Sequence, residues 1–588
     1  MIQSAHMNEE QLAHARHTLA HLLASAVEVH HPFAKLTLGP AIDDGFYYDI
    51  DFGTTKLVAE DLAVLEATMK KSLPSWTEFT HREVTKEEAL ETFKDNEYKT
   101  ELIREIAERG ETITLYTCGG FTDLCRGGHA ENPAKEISAD SFKLDRIAGA
   151  YWRGKEENPM LTRIYGLAFE SKDALDAHLL QREEAKKRDH RKLGRELDLF
   201  AFSDLVGVGM PLFTPKGNII REGIISFSRE LNHELGFGEV HTPNINKAEL
   251  FKISGHYDKY KEDMLSVTSQ YVSDEMFMKP MNCPQHTQIY ASQPRSYRDL
   301  PIRYSDFAVL YRDERPGEMS GLTRLRAFSQ DDGHIFCRED QVEEEISNIL
   351  SAIQKALKVY NIDYWMRLSL RDPNNKAKYL GTDEVWEKSQ AIMQKLLEEK
   401  NITFKAAEGE AAFYGPKVDI MAVDAIGREW QISTIQLDFN QPARFELEYM
   451  DKDSQKKTPV MIHRALIGSP DRFLGILIEH YAGNFPAWLS PVQVAIVPVR
   501  ENHNDYAQKI EGGLKESGIR TEMFDLDTNL GKRIHAAKST RAPYVIVVGD
   551  KEITSGTLTI EKRDGTKIES ITPEDFSKLL GEEIKSRQ

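Results

Sequence analysis

The stretch of sequence that decides the fold is 311–328, which reads YRDERPGEMSGLTRLRAF. Two antiparallel-looking segments, 303–311 and 324–330, flank a turn-rich loop that contains Pro316 and Gly317. They predict a hairpin within a mixed, largely antiparallel sheet with flanking helices. A hairpin that presents two arginines, a carboxylate and an aromatic ring can clamp phosphates and stack on a base, although a salt-bridged structural hairpin has the same composition.

Length and composition indicate a folded, multidomain protein. A chain of 588 residues is several times the size of a single hydrophobic core, and 40% hydrophobic with 29% charged residues excludes disordered and collagenous chains. The formal net charge of −19 repels phosphate at long range, so any contact with nucleic acid requires local basic patches. Four scattered cysteines indicate reduced thiols. Together with the lack of a signal-peptide pattern or a run of about 18 apolar residues, they predict a cytoplasmic protein.

Outward from the hairpin, the sequence predicts an α+β multidomain chain. An α+β domain is expected over 1–174, because helix-periodic segments alternate there with short strands. A charged helix over 175–197 is either a solvated linker or a basic stripe that faces nucleic acid. The mixed sheet is expected over 198–490, and a βαβαβ pattern predicts a separate α/β domain over 491–588.

Four longer motifs, in order along the chain, resemble those of a known family. They are KPMNCP at 279–284, SYRDLP at 296–301, QDDGHIF at 330–336 and MIHRA at 461–465. Over nearly its whole length the chain is similar to the class II aminoacyl-tRNA synthetases, and within class IIa to the threonyl-tRNA synthetase family. The resemblance implies a class II antiparallel-sheet catalytic core, an α+β editing domain and a C-terminal α/β anticodon-binding domain. It also implies a homodimeric threonine–tRNA ligase that uses ATP, L-threonine and tRNA(Thr) and hydrolyses seryl-tRNA(Thr).

The resemblance assigns roles to residues of the synthetic site. Helix 218–235 and strand 239–243 match the family's first motif, which forms the dimer interface. In the second motif, Arg312 contacts the α-phosphate, Glu314 the adenine amino group, Arg324 the γ-phosphate and Phe328 the adenine ring. In the third, 468–472, Arg472 contacts ATP from the other side, so Arg312 and Arg472 are the implied catalytic residues and Mg²⁺ accompanies ATP. Further implied contacts are Gln431 and Thr434 with ATP, and Gln330, Asp332, Tyr414 and Gln436 with threonine.

Cys283, His334 and His463 raise the question of a metal. Their wide spacing alone favours packed core side chains. All three match the family's zinc ligands, so the resemblance implies one Zn²⁺ per subunit with an open coordination position for threonine. Valine, which lacks the hydroxyl group, is then rejected strongly. Serine lacks only a methyl group, whose absence lowers the binding free energy by about 1–3 kcal/mol. Exclusion of serine therefore requires a second site.

Two pairs of residues near the N-terminus are candidates for that second site. His17 and His21 lie four apart and share one face of the first predicted helix, and Cys125 and His129 form the other pair. By themselves the pairs fit either a zinc site or ordinary buried side chains. The resemblance implies instead a metal-free editing site with ordered water, to which His14, His30 and His31 do not belong. The implied editing residues are His17, His21, Lys99, Asp123, Cys125 and His129.

The sequence departs from the family pattern in three places. The further small N-terminal domain that is common in relatives is not expected here, Gln285 stands where glycine is usual, and Gly128 stands where proline is usual. None of these departures removes an implied ligand or base.

Other interpretations remain open from the residues. A catalytically silent tRNA-binding paralogue is one alternative, and another class IIa synthetase is a second; the intact arginines and metal ligands argue against the first. In the last domain, four basic residues predict either a local phosphate contact or a solvated helix face. These are Lys532, Arg533, Lys538 and Arg541.

Overall fold

The computed structural model describes residues 7–525 and 528–587, apart from the side chain of Pro316. The chain forms two compact units, which meet in sequence between Glu183 and Glu184. Within the described residues, no helix has the length and apolar character that a bilayer span requires.

The first unit has the predicted α+β architecture. Its five-stranded sheet is antiparallel, and a separate three-stranded antiparallel sheet lies elsewhere in the unit. The strands are Lys35–Leu36, Ala41–Ile42, Gly45–Asp51, Phe142–Tyr151 and Met160–Ala168 in the larger sheet, and Thr80–Val84, Ile113–Cys118 and Phe121–Leu124 in the smaller. The helices are Glu9–His30, Ala59–Ser72, Lys86–Thr92, Glu97–Glu108 and Pro133–Glu136, and Lys172–Arg188 begins in this unit.

The opening helix, Glu9–His30, confirms the helix predicted near the N-terminus. Asn8 caps it, because its side chain accepts a hydrogen bond from the backbone N–H of Gln11 and the Gln11 side chain accepts one in return. Leu19, Leu22 and Leu23 on its inner face are buried in the core of the first unit. This packing fixes the rotation of the helix and therefore the direction of its histidines.

The charged segment after the first unit is not the single solvated helix that the sequence predicts. It forms two helices, Lys172–Arg188 and His190–Glu196, and Asp189 caps the second by accepting from the backbone N–H of Arg191. An aspartate side chain at an N-cap position satisfies free N–H groups at a helix start, which favours a break there. The second helix is also partly buried, at His190, Leu193 and Gly194, so the solvated-linker prediction was wrong for this part.

The second unit is built on an eight-stranded sheet, which confirms the predicted mixed, largely antiparallel topology. Only the two outermost strand pairs are parallel. In spatial order the strands are Gly238–Glu239, Ile302–Asp306, Asp332–Cys337, Val460–Ala465, Glu429–Asp438, Lys417–Val423, Asp363–Leu370 and Phe404–Glu408. A large apolar core includes residues of helices Pro215–Glu234, Val342–Tyr360, Asp383–Glu399 and Pro470–His480.

Smaller elements surround the main sheet. Short strand pairs are Phe200–Ala201 with Leu212–Phe213, Val309–Tyr311 with Ala327–Ser329, and Tyr449–Met450 with Lys456–Lys457. Strands Ile245–Lys247, Met276–Met278 and Ser266–Val267 form a three-stranded sheet, and the short helices are Ala248–Ser254, His256–Tyr260, Cys283–Ala291 and Asn440–Arg444.

Two elements predicted in this unit are shorter in the structure than the sequence indicates. The hairpin at 303–330 forms, but its paired strands are only Val309–Tyr311 and Ala327–Ser329. The strand expected at 239–243 is limited to Gly238–Glu239. Pro243 offers no backbone N–H to a sheet, which favours departure of the chain from the sheet before it.

The C-terminal part confirms the predicted βαβαβ order and extends it. Its five strands are ordered Thr521–Met523, Val494–Pro498, Tyr544–Val548, Leu558–Lys562 and Lys567–Ile571. Its helices are Asn504–Glu516, Leu530–Ser539, Asp550–Ser555 and Pro573–Ser586.

The basic cluster expected on this domain does not form a common phosphate-binding surface. Arg533 is buried and donates to the backbone carbonyls of Thr528 and Val499 at 3.1 and 3.2 Å. Arg541 donates to the carbonyl of Ala482. These two guanidinium groups donate to carbonyl groups of the protein, whereas Lys532 and Lys538 are exposed, so the four basic residues do not share one solvated face.

A buried ion pair ties the central strands to a helix. Arg464 and Asp331 are fully buried, and Nη1 of the arginine is 2.7 Å from Oδ1 of the aspartate. Ser228 and Asn232, on helix Pro215–Glu234, donate to the same carboxylate at 2.6 and 3.4 Å. Gly333 makes room for this arrangement, because a Cβ there would lie 2.3 Å from Cζ of Arg464.

Loss of the buried carboxylate is expected to destabilise the second unit strongly. Asp331→Ala leaves Arg464 buried without its counter-charge, which costs about 3–5 kcal/mol of unfolding free energy. Urea unfolding followed by tryptophan fluorescence measures this. Lys355→Ala is the control, since it removes an exposed ion pair with Glu234 worth less than about 1 kcal/mol. Equal shifts from both variants would contradict the central role of the buried pair.

Candidate active sites

A cavity of about 290 Å³ lies beside the hairpin in the second unit. Arg312 continues the strand Val309–Tyr311, and its backbone N–H donates to the carbonyl of Arg326 at 2.9 Å. Its guanidinium carbon is 5.1 Å from the ring centroid of Phe328. Arg472 lines the same cavity, and burial lowers its pKa. Arg312, Arg472 and Phe328 thus line one cavity, which Arg324 of the hairpin does not line; Gln431 and Thr434 also line it.

Asp471 sets the position of Arg472 relative to the hairpin. One of its carboxylate oxygens accepts from Nε of Arg221 at 2.7 Å, and the other accepts from the backbone N–H of Ser329 at 2.6 Å. The side chain of Ser469 caps the helix by accepting from the N–H of Arg472. The start of helix Pro470–His480 is therefore fixed to the hairpin strand that carries Phe328.

Glu314 and Arg324 contact each other in this structure. Nε of Arg324 lies 2.7 Å from Oε2 of Glu314, and Nη2 of Arg324 lies 2.7 Å from Oε2 of Glu318. The two side chains to which the resemblance gives nucleotide contacts, Glu314 with adenine and Arg324 with phosphate, are therefore paired with each other in this structure.

Asp419 is a residue of the site that the sequence analysis missed. Its side chain is fully buried, and it accepts from Gln431 at 2.8 Å and from Thr434 at 3.2 Å. Lys417 and Arg367 lie 2.9 and 3.0 Å from its other oxygen. Asp419 thus positions two of the implied ATP contacts. The available signal was a carboxylate between Val418 and Ile420 of strand Lys417–Val423, on the face opposite to these two core residues.

Cys283, His334 and His463 meet in a buried cluster. His334 and His463 are register partners on adjacent strands, and Cys283 begins the helix Cys283–Ala291. Their potential ligand atoms all lie within 4.8 Å of one another. Oδ2 of Asp438 is 2.9 Å from Nε2 of His463, which leaves Nδ1 of this ring for another partner. Carboxylate support of this kind is typical of a histidine that binds a metal.

The donor chemistry of the cluster fits a divalent metal. One thiol and two imidazoles match a three-ligand tetrahedral site with an open fourth position. Burial raises the pKa of the Cys283 thiol well above its ordinary value. A cation between these three groups would favour the thiolate that burial disfavours.

The metal-binding candidates and the arginines line connected space. A cavity of about 550 Å³ contains the cluster, and Arg312 lines both this cavity and the smaller one beside Arg472. The Tyr414 hydroxyl donates to Gln436, and its ring stacks on His463 with centroids 4.6 Å apart. Every predicted threonine contact lines this larger cavity: Gln330, Asp332, Tyr414 and Gln436.

A second Cys/His cluster lies in the first unit. Potential ligand atoms of His17, His21, Cys125 and His129 all lie within 4.8 Å of one another. Sγ of Cys125 is 3.3 Å from Nε2 of His129 and 3.6 Å from Nε2 of His17. A cavity of about 360 Å³ is lined by His17, His21 and Cys125. The helical pair and the loop pair predicted from the sequence therefore come together.

Two buried charged residues, Lys99 and Asp123, adjoin this second cluster. Nζ of Lys99 is 2.6 Å from one oxygen of Asp123, and Nδ1 of His21 is 3.2 Å from the other. Tyr48, which the sequence analysis did not single out, donates to the same carboxylate at 2.6 Å. Burial raises the pKa of Asp123, but the charges of Lys99 and His21 outweigh it and hold the pKa well below its ordinary value.

The buried charges affect the ionisation of the Cys125 thiol. Burial opposes protonation of His21, yet hydrogen bonds to Asp123 and Cys125 raise its pKa to about 9. Burial likewise opposes ionisation of Cys125, but hydrogen bonds with His129, His17 and His21 lower its pKa to about 3. Imidazolium and thiolate thus stabilise each other in this cavity.

The departures from the family pattern have local structural accounts. Gly128 has φ of +84°, a value that proline cannot adopt, so the backbone before His129 requires glycine here. Gln285 donates to the carbonyl of Pro243 at 2.7 Å and to the side chain of Asn246 at 2.8 Å. His30 lies outside the cluster, 2.8 Å from the Thr68 hydroxyl.

Three protein-family models match separate parts of the chain. Residues 266–481 match the tRNA synthetase class II core domain (G, H, P, S and T), 493–583 match the anticodon binding domain, and 113–165 match the threonyl and alanyl tRNA synthetase second additional domain. The chain is 45% identical to a threonine–tRNA ligase of Cytophaga hutchinsonii, over 97% of this chain and 88% of that protein. It is 46% identical to one of Bacteroides fragilis, over 98% and 90%.

The chain belongs to the threonyl-tRNA synthetase family. A solved structure from Cryptosporidium parvum Iowa II, described as the RNA binding domain of threonyl-tRNA synthetase, superposes with a TM-score of 0.64 at 35% identity, over 67% of this chain and 98% of that one. The fold expected of a threonyl-tRNA synthetase is confirmed: a class II core, a second additional domain of the editing type and an anticodon-binding domain.

The electrostatics of the second cluster predict selective alkylation of this synthetase. Since the Cys125 pKa is lowered to about 3, iodoacetamide should modify this residue at a rate that changes little between about pH 6 and pH 8. Cys118, Cys283 and Cys337 are buried, and the pKa of each thiol is raised, so they serve as internal controls. Peptide mass spectrometry measures each rate. A Cys125 rate that rises about tenfold per pH unit would contradict the thiolate assignment.

Proposed function

We propose that this chain catalyses ATP-dependent activation of threonine and its transfer to the 3′ end of tRNA(Thr). The observation that carries the proposal is the connected cleft of the second unit, in which Arg312 and Arg472 face one end and the Cys283, His334 and His463 cluster lies at the other. Family membership supports the same reaction. No comparison favours a catalytically silent paralogue.

In the first step, a carboxylate oxygen of threonine attacks the α-phosphorus of ATP. The new bond joins this oxygen to phosphorus, the bond between the α-phosphorus and its bridging oxygen breaks, and diphosphate leaves. Arg312 and Arg472 are placed to stabilise the negative charge that develops on the phosphates, which Mg²⁺ accompanies. In the second step, a terminal ribose hydroxyl of the tRNA attacks the threonyl carbonyl and AMP leaves.

We assign the nucleotide contacts that the family resemblance implies. Opening of the Glu314–Arg324 pair frees the carboxylate for the adenine amino group and the guanidinium for the γ-phosphate, while Phe328 stacks on the ring. Asp419 supports Gln431 and Thr434 from behind.

Amino-acid selection is assigned to the buried cluster. Cys283, His334 and His463 would hold one Zn²⁺, which when bound supplies an open coordination position for the polar groups of the substrate. Asp332 and Tyr414 line this end, and Asp332 is placed to receive the substrate hydroxyl. Valine would leave these buried polar groups unsatisfied, whereas serine would satisfy them.

Editing of seryl-tRNA(Thr) is assigned to the first unit. Hydrolysis adds water across the ester bond and returns serine and free tRNA. His17, His21 and Cys125 line the cavity, and His129 contacts Cys125. Lys99 and Asp123 favour the charged form of His21, so the group can order water and exchange a proton with it. We assign this site to the metal-free reaction.

The remaining assignments follow from the same family. Residues 1–174 form the editing domain, 175–197 the linker, 198–490 the catalytic domain and 491–588 the anticodon-binding domain, within which the three family matches fall. We assign a homodimer, because Gly238–Glu239 is an edge strand of the main sheet and Glu239 pairs at 3.0 Å with Arg229 of the first motif's helix. The reduced thiols support a cytoplasmic location.

Amino-acid-dependent exchange of diphosphate into ATP tests the synthetic site. Threonine should support exchange, serine should be about 10–200-fold less effective in kcat/KM, and valine about 10⁴-fold less. His334→Ala should lose zinc, measured by elemental analysis, and threonine activation by at least about 100-fold. His535→Ala, which changes an exposed histidine on helix Leu530–Ser539, is the control. Full activation by zinc-free His334→Ala protein would contradict the metal assignment.

Deacylation of seryl-tRNA(Thr) tests the editing site separately. His21→Ala removes the group that links Asp123 to Cys125, so hydrolysis should fall about 10²–10⁴-fold. Diphosphate exchange with threonine should stay at the wild-type rate, since its residues lie in the other unit. The control is His30→Ala, on the same helix but outside the cavity lining. Unchanged deacylation by His21→Ala would remove this cluster from the editing reaction.

A further inference from the structure

A further buried histidine, His286, contacts the ring of His334. His286 is on the helix Cys283–Ala291, three residues after Cys283, and its side chain is fully buried. Its Nδ1 lies 2.8 Å from Nδ1 of His334, and the two rings are nearly perpendicular, at 87°. Two ring nitrogens at this distance share one hydrogen, which one ring donates and the other accepts.

The surroundings of His334 decide which ring donates. Its Nε2 faces the cavity, 3.8 Å from Oδ1 of Asp332, which lines that cavity together with Cys283 and His463. An imidazole that offers the lone pair of Nε2 to a metal carries its hydrogen on Nδ1. His334 is therefore the donor, His286 the acceptor, and the hydrogen of His286 is on Nε2.

The Nε2 group of His286 faces a buried carboxylate. This nitrogen makes no hydrogen bond within the described part of the chain, and Oδ2 of Asp306 lies 3.8 Å away. Asp306 accepts from the Thr242 hydroxyl at 2.7 Å, and Lys279, itself buried, donates to that hydroxyl at 2.7 Å. The carboxylate thus attracts the N–H of His286 across a short gap in a water-excluded region.

The two imidazole ligands are supported by different means. Asp438 contacts His463 directly, at 2.9 Å, whereas Asp306 acts on His334 through the intervening ring of His286. Groups behind a metal ligand fix its tautomer and orientation, and their loss typically weakens metal binding about 10–100-fold.

We propose that His286 and Asp306 are positioning residues of the metal site, which hold His334 with Nε2 toward the metal. This inference rests on the proposed zinc site, and it adds that zinc retention depends on an imidazole that contacts no metal and no substrate. A histidine that serves only to pack the core is replaceable by a hydrocarbon of similar size without any change in metal binding.

The test compares two variants of the full-length, zinc-loaded protein. His286→Leu removes the acceptor for His334, whereas His286→Asn keeps an oxygen near the position of Nδ1. Transfer of zinc to a colorimetric chelator should be about 10–100-fold faster for the leucine variant, and asparagine should restore most of the difference. Asp306→Asn should have an effect in the same direction.

A spectroscopic readout separates positioning from packing. Cobalt-loaded His286→Leu protein should show altered thiolate-to-cobalt and ligand-field absorption, whereas the asparagine variant should resemble wild type. Tyr290→Phe is the matched control, since it removes a buried hydroxyl from the same helix, bonded to the Glu448 carbonyl, without contact to His334.

The outcomes are distinguishable. Wild-type zinc retention and cobalt spectra in His286→Leu would overturn the proposal, as would equal zinc loss in His286→Leu and Tyr290→Phe, which indicates a general loosening of the helix. Failure of the wild-type protein to hold zinc would overturn the zinc site itself, and with it this inference.

Discussion

The buried pair of Asp331 and Arg464 is the constraint on which the synthetic site depends. The carboxylate accepts from the arginine at 2.7 Å and from the backbone N–H groups of Leu466 and Ile467, while helix Pro215–Glu234 contributes two further donors. A one-residue slip between the two central strands would turn every side chain to the other face. The ion pair opposes that slip, because a shift would leave two buried charges unpaired. The register that sets His334 opposite His463 follows from it.

Two clusters of cysteine and histidine in one chain have opposite electrostatics. Cys283 has apolar neighbours and nearby carboxylates, so burial dominates and the pKa of its thiol is raised. Cys125 has three histidines around it, one of which is charged by Asp123, so its pKa is lowered to about 3. The first environment favours a thiolate only together with an added cation. The second supplies its own positive charge. The two clusters therefore differ in whether their thiolate requires an added cation.

The predictability of each site depended on how far apart its residues are in sequence. His17 and His21 share a helix face, so their proximity follows from helical periodicity alone. The hairpin with Arg312 and Phe328 was also predicted, since its two strands are joined by one turn. By contrast, Asp438 and His286 contact histidines on strands that are distant from them in sequence. A single buried carboxylate or imidazole carries no local pattern that separates such support from core packing.

The sequence by itself determined the order of the elements, the α+β class and the chemistry available at each site, because periodicity, turn residues and motif spacing are local properties. The sequence did not decide which basic side chains are exposed to solvent and which are paired inside the protein. Arg533 looked available for phosphate but lies buried against backbone carbonyls, and Asp189 interrupts a segment whose charges favour one long helix. Only the tertiary structure decided these points, and it also set the opposite pKa shifts of the two thiols. Burial and neighbouring charge shift a pKa through distances of a few ångströms in space, and those distances are set by packing between segments far apart in the chain.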